Sequence, residues 1–148
     1  MNEIAIATTD EEILATFPLM RQLQPHLEES NYVSVVRLLE QETGYRVALL
    51  GDQAGVVCAA GFHTSRSLGW GRYLYIDDLI TDERRRSSGA GHIMMSWLAD
   101  YARKCGCCEL RLDAAVWRHD AHRFYLRERM EIACFDFRLR LTEASISR

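Results

Sequence analysis

Six consecutive residues, Arg86-Ser87-Ser88-Gly89-Ala90-Gly91, carry the clearest chemical signal in this chain. They follow a strand-like run, Tyr75-Ile76-Asp77-Asp78-Leu79-Ile80-Thr81, and two further arginines, Arg84 and Arg85. An amphipathic helical pattern begins directly behind them. The N–H groups of a helix's first turn have no partner inside the helix, so a strand, a basic turn and a helix start make a cradle for phosphate oxygens. Glycine lets the main chain come close to such a ligand. The spacing is neither GxxxxGK[ST] nor GxGxxG, which separates it from the P-loop and the dinucleotide fingerprint. A glycine-rich helix start beside a solvated arginine cluster is the plain alternative.

Other residues could do proton chemistry. Asp77 and Asp78 sit in the strand that leads to the loop and point to opposite faces if that strand is regular. One of them could orient or deprotonate an ammonium group, directly or through water. The other is then a buried structural or a solvated carboxylate, and a bulge would change which one faces the amine. Asp78 is the preferred candidate. Downstream, Ala121-His122-Arg123-Phe124-Tyr125 reads as a short helix. Phe124 is assigned to the core and Tyr125 to a cleft, since one of the pair must face the sheet. His119 and His122 stand three apart, but without further ligands they read as packing residues, and no metal is expected. Cys105, Cys107 and Cys108 lack a CxxC pair and read as a tight helix-to-strand turn.

The Arg-x-x-Gly-x-Gly run after a strand, with the Ala-x-x-Phe-Tyr helix downstream, resembles the GNAT superfamily of acyl-CoA-dependent N-acetyltransferases. The resemblance spans roughly Arg21 to Leu141 and is specific in those two segments. It implies acetyl-CoA as co-substrate, with its pyrophosphate on the amides of Arg86, Ser87, Ser88, Gly89, Ala90 and Gly91. It implies that Leu79, Ile80 and Thr81 pair with the pantetheine arm like an added strand. That strand would splay from its parallel neighbour, commonly through a bulge. Tyr125 becomes the candidate general acid for the departing sulfur, and transfer is direct, without a cysteine acyl-enzyme. Two departures stand out. Arg118 replaces an asparagine common in relatives, and Arg129-Met130 replaces a Gly-Phe pair, which puts the local turn in doubt. The rival reading is a non-catalytic module that binds or senses acyl-CoA. A third is a scaffold that only keeps the fold.

These groups need a frame. Glu3–Thr8 alternates as a strand, and Asp10 caps a helix from Glu11 to about Gln22 that Pro18 bends or splits. A second helix spans Glu28–Glu42, with Tyr32, Val35, Val36 and Leu39 on one face, and ends at Gly44. Tyr45–Leu50 and Ala54–Phe62 form a hairpin, Arg66–Gly71 is a loop, and Arg72–Thr81 is the next strand. A helix follows from Gly89 to Cys105, with Ile93, Met94, Trp97, Leu98 and Tyr101 in the core. Cys108–Asp113 is a strand parallel to the previous one. Then come a helix from Arg118 to about Glu128, a last strand, Glu131–Leu141, and a frayed end. The fold class is α/β, a mixed and mostly antiparallel GNAT-like sheet with a splayed parallel pair and helices on both faces. The acceptor wall would come from Phe17, Met20, Arg21, His26, Tyr32 and the Arg66–Trp70 loop, which names no amine.

Composition bounds the rest. The 148 residues suit a single acyl-CoA N-acyltransferase domain over 1–148, with 48% hydrophobic and 26% charged residues. A net charge of -3 argues against a general nucleic-acid binder, and Lys104 is the sole lysine. The longest apolar runs are too short to span a bilayer, and the N-terminal MNEIAIATTDEE lacks signal-peptide character, so no membrane partner is expected. Five cysteines in no paired framework fit a reducing cytoplasm. A small-molecule or peptide amine is the expected partner, and a homodimer is compatible with the resemblance.

Overall fold

The computed structural model describes residues 3–143. Two compact units divide the chain after Leu112. The first holds one sheet of five strands in chain order: β1 (Ala5–Ile6), β2 (Arg46–Asp52), β3 (Gly55–Ser67), β4 (Gly71–Thr81) and β5 (Glu109–Leu112). Neighbours are antiparallel except β4 and β5, which are parallel. The mixed α/β class with one parallel pair is as the sequence implies.

Local chemistry sets the helices. Thr9, not Asp10, caps α1 (Asp10–Ala15), because it and Glu12 form a reciprocal capping box. Pro18 lies at the start of α2 (Phe17–Leu23), so the expected single helix is split at Thr16, where the missing N–H costs nothing. Thr16 is fully buried and shares a 2.7 Å hydrogen bond with the Tyr32 hydroxyl. α3 (Glu29–Thr43) buries Tyr32 and Val36, while Val35 is exposed, a correction to the expected face. Gly44 ends it at φ 74°, in the left-handed region.

α4 (Ala90–Lys104) buries Met94, Met95, Leu98 and Ala102, and leaves Ile93 exposed where the sequence suggested core. Its Trp97 and Tyr101 pack edge-on against Phe62 of β3. The opposite sheet face carries the cluster of Ile13, Phe17, Met20, Tyr32, Val36, Tyr45, Val47, Ala59 and Ile80. β3 runs to Ser67 and β4 starts at Gly71, so half of the expected Arg66–Gly71 loop is strand, and the turn is only 68–70.

The second unit contains α5 (His119–Arg127). It ends in a Schellman motif, with Met130 N donating to Tyr125 O and Arg129 N donating to Leu126 O, each at 3.1 Å. The residue in the left-handed position is Arg129, at φ 66°. The turn that Arg129-Met130 put in doubt is therefore formed, with arginine where glycine is easiest. The expected strand over 131–141 is not formed: among the described residues this stretch joins no ladder. The expected fraying lies largely outside the described residues.

Candidate functional site

The register of the β3–β4 hairpin creates the site. His63 pairs with Tyr75 and Phe62 with Ile76, but Gly61 pairs with Asp78, so Asp77 is the extra residue of a bulge. The parallel β4–β5 ladder covers Tyr73–Ile76 against Glu109–Leu112 and stops at that same point. Beyond it, Asp78–Thr81 has ladder partners only on the β3 side among the described residues. A bulge bends a strand and increases its twist, which is the physical reason for a ladder to part there.

The bulge also settles how the two aspartates lie. The Tyr45 hydroxyl donates to Asp78 Oδ2 at 2.8 Å, and its ring lies across Gly61. A Cβ at Gly61 would meet the Tyr45 Oη at 1.8 Å, so only glycine fits. His63, two residues along the same face of β3, holds Asp77 Oδ2 through Nδ1 at 2.7 Å. Both carboxylates thus engage side chains on one face, not the opposite faces of a regular strand. Asp78 is the inner of the two. Burial, then the Asp78 carboxylate, pushes the Tyr45 hydroxyl well above its ordinary value of 10.0. The Asp77 side chain retains 34% exposure and that of His63 20%.

Downstream of β4, Asp82 caps a short 3-10 turn, Glu83–Arg85. Gln22 of α2 accepts from Glu83 N at 3.1 Å, and Asp82 N donates to Val57 O at 2.9 Å, which ties the segment to the body. The three arginines differ. Arg85 is paired with Asp52 of β2, whereas Arg84 and Arg86 are exposed. Ser87 at φ 67° and Gly89 at φ 87° alternate left-handed positions ahead of α4. Such turns direct successive N–H groups into one concavity that attracts anions. Gly89 is the helix N-cap and has no side chain to occupy those donors; Ala90 N has a long 3.4 Å contact to Ser88 Oγ.

On the face that carries His63 and Tyr75, Trp70 packs edge-on against Tyr73, and Arg111 lies 3.6 Å from the Trp70 ring centre. His63 is the residue that sequence reasoning missed. The available signal was the hairpin itself, since Arg72–Tyr75 mirror His63–Arg66 about the 68–70 turn.

Tyr125 lies in the second unit on α5. It and Phe124 are both half-buried, with ring centres 5.4 Å apart, so the assignment of Phe124 to a core is not met. His122 Nε2 is 2.8 Å from Ala115 O, and its ring packs edge-on against His119. Among the described residues no three His, Cys, Asp or Glu side chains converge as a metal site, and no helix is long and apolar enough to cross a membrane. Cys108 N donates to Arg72 O at 2.7 Å and Arg72 Nε to Cys105 O at 2.8 Å, so the cysteine-rich turn serves to join α4 to β5.

Comparison with known proteins agrees with this architecture. The family model described as "Acetyltransferase (GNAT) family" matches residues 7–129. An uncharacterized N-acetyltransferase of Bacillus subtilis, YhdJ, is 30% identical over 118 residues, covering 80% of this chain and 83% of that protein. The aminoalkylphosphonate N-acetyltransferase of Salmonella typhimurium is 31% identical over 102 residues, covering 68% of this chain and 64% of its own length. Among solved structures, a ribosomal-protein-alanine N-acetyltransferase of Brucella melitensis superposes with a TM-score of 0.79 at 17% identity, covering 95% of this chain and all of that one. An integron cassette protein of Vibrio cholerae reaches 0.80 at 19% identity, covering 96% and 93% of the two chains.

Proposed function

The chain belongs to the GNAT acetyltransferase family, and on that premise we propose that it transfers the acetyl group of acetyl-CoA directly to an amine. The observation that carries this reading is the β4–β5 ladder ending at Ile76 while β4 runs on to Thr81 and into the Arg86–Gly91 loop. Leu79, Ile80 and Thr81 would pair with the amides of the pantetheine arm. The amides of Arg86–Gly91 would take the pyrophosphate, with help from the α4 dipole and from Arg84 and Arg86.

In the reaction the amine nitrogen bonds to the thioester carbonyl carbon and the C–S bond breaks. One proton leaves the nitrogen and one reaches the sulfur. The sequence favours Asp78 as base; the geometry favours Asp77 acting with His63. With Nδ1 donating to Asp77, the neutral His63 ring carries its lone pair on Nε2, the usual arrangement of a carboxylate-oriented imidazole base. Asp78, engaged by Tyr45, has the role of holding the bulge. Tyr125 keeps the role of acid toward sulfur that the family resemblance implies. The acceptor is an amine that an aspartate can orient, and the Salmonella relative makes aminoalkylphosphonates one class to screen.

Calorimetric titration with acetyl-CoA tests the donor. The native protein is expected to bind, and a variant carrying Arg86→Ala and Gly89→Asp to lose binding. No binding by the native protein would overturn the reading. Thiol release across an amine panel then tests turnover. His63→Gln and Asp77→Asn are each expected to lower kcat by roughly 100-fold, with donor binding intact. Unchanged kcat in both would remove the pair from the mechanism, and unchanged kcat in Tyr125→Phe would remove the acid. The non-catalytic reading drew on the missing Gly-Phe pair, and the turn formed at Arg129 removes that support.

A further inference from the structure

The three arginines ahead of the phosphate loop are consecutive in sequence but unequal in the structure. Arg84 and Arg86 are exposed, whereas the Arg85 guanidinium is ion-paired with Asp52, at the end of β2. The two paired side chains are 33% and 23% exposed. Asp52 is set in place by its own turn: Oδ1 accepts from Ala54 N at 2.8 Å, and Oδ2 accepts from Nη2 of Arg85. The main chain of Arg85 is the junction of the loop. Its N–H donates to Asp82 O at 2.8 Å, and its carbonyl accepts from Ser88 N at 3.3 Å. Asp82 N and Glu83 N are tied to Val57 and Gln22, so the start of the segment is fixed. From Arg84 to Gly89, the Arg85 side chain makes the only ion pair or hydrogen bond to the sheet among the described residues.

We propose that Asp52 is a positioning residue for the acyl donor, acting through Arg85 to hold the Arg86–Gly91 amides in the arrangement that receives pyrophosphate. This role rests on the donor reading given above. Two effects of the carboxylate oppose each other. As a negative charge near an anion site, Asp52 disfavours the donor, and less so as salt rises. As an anchor, it fixes the loop before the donor arrives, so that binding does not have to order it. The charge is already paired with Arg85, and both groups are partly exposed, so solvent screens what is left of it. Ordering is not screened, and the anchor therefore outweighs the charge. The pair also divides the arginines by task. Arg84 and Arg86 are left for the phosphates, and the middle one serves the frame. Sequence alone treats the three as one cluster, because Asp52 lies 33 residues away from Arg85.

Calorimetry with acetyl-CoA and hydrogen exchange test this. Asp52→Asn is expected to weaken acetyl-CoA binding roughly fivefold, with a matching rise in KM and an unchanged kcat at saturating donor. The loss is expected to persist at about 0.5 M salt, where the charge effect is screened. In the free protein, the amides of 86–91 should exchange faster in Asp52→Asn than in the native chain, while those of the sheet keep their native rates. Arg85→Gln is expected to lose at least as much affinity. Asp52→Asn combined with Arg85→Gln should lose no more than Arg85→Gln alone, since one tie cannot be cut twice. Tighter or unchanged binding by Asp52→Asn, losses that add in the double variant, or exchange that is unchanged or faster across the whole sheet would each overturn the role. Failure of the native protein to bind acetyl-CoA is a different result. It removes the donor reading and this role with it, whereas native binding that Asp52→Asn fully retains removes the role alone.

Discussion

Asp77 and Asp78 are adjacent in sequence and lie on one face of the sheet, yet their surroundings are opposite. Asp78 takes a hydrogen bond from a buried tyrosine whose ring needs a glycine beneath it. Asp77 is held by a histidine at the edge of solvent, on the one residue of β4 that has no opposite number in β3. The difference teaches how a bulge divides labour. The carboxylate on the inner side anchors the distortion, and the one the distortion pushes out is the one open to the proposed chemistry.

The comparison breaks most visibly at Gly61. Gly61→Ala would drive a methyl group into the Tyr45 Oη, with the ring carbons Cζ and Cε2 at 2.3 and 2.7 Å also in the way. A loss of about 3 kcal/mol or more is expected in denaturant unfolding. Adding Tyr45→Phe should not rescue it, because the ring carbons still collide. Rescue by phenylalanine would show that only the hydroxyl matters.

Alkali gives the next effect. The Tyr45 hydroxyl keeps its proton in the folded protein above its ordinary value of 10.0. Cys58 of β3, buried beside Thr81, is likewise raised from 9.0 to about 11 by burial. For both groups the folded state binds the proton more tightly than the unfolded chain does. Stability is therefore complete below the ordinary values and falls as pH rises through the folded ones. For Cys58 the fall between pH 9 and 11 amounts to about 3 kcal/mol at most. Cys58→Ala should flatten that part of the stability–pH curve, and an unchanged slope would leave Tyr45 as its cause.

Tyr45→Phe and Asp77→Asn sharpen the contrast within the pair itself. The first removes a half-buried hydrogen bond to a carboxylate and should cost about 2 kcal/mol. The second loosens a partly exposed histidine contact and should cost less than about 1 kcal/mol, with its main consequence in kcat. Equal destabilisation by the two would erase the distinction drawn between the aspartates.

Much of this frame is legible from sequence because it is local. The loop before α4, the split at Pro18, and the end of α3 at Gly44 each follow from residue types at fixed offsets. What escapes is set by register. His63 meets Asp77 from 14 residues away, through a hairpin whose turn is only 68–70. The bulge that turns Asp77 and Asp78 to one face appears only once Gly61 is known to oppose Asp78. The 131–141 stretch fails differently. Its alternation has a strand's side-chain pattern, but a strand is defined by the partner it bonds, and a pattern cannot name one.

Arg129 carries the smallest effect and separates local strain from function. Glycine would reach the left-handed region without a penalty, whereas Arg129 adopts φ 66° with a Cβ. The two Schellman hydrogen bonds, to Tyr125 O and Leu126 O, hold it there. Arg129→Gly should therefore relieve strain in the folded state, partly offset by the freedom glycine adds to the unfolded chain. The net gain expected is about 0.5 kcal/mol, read as a raised unfolding midpoint at constant denaturant slope. If the arginine serves only as a strained substitute for glycine, kcat and acetyl-CoA affinity stay where they were. A fall in acetyl-CoA affinity alongside the stability gain would instead give Arg129 a part in holding the donor, and its strain would then be the cost of that contact.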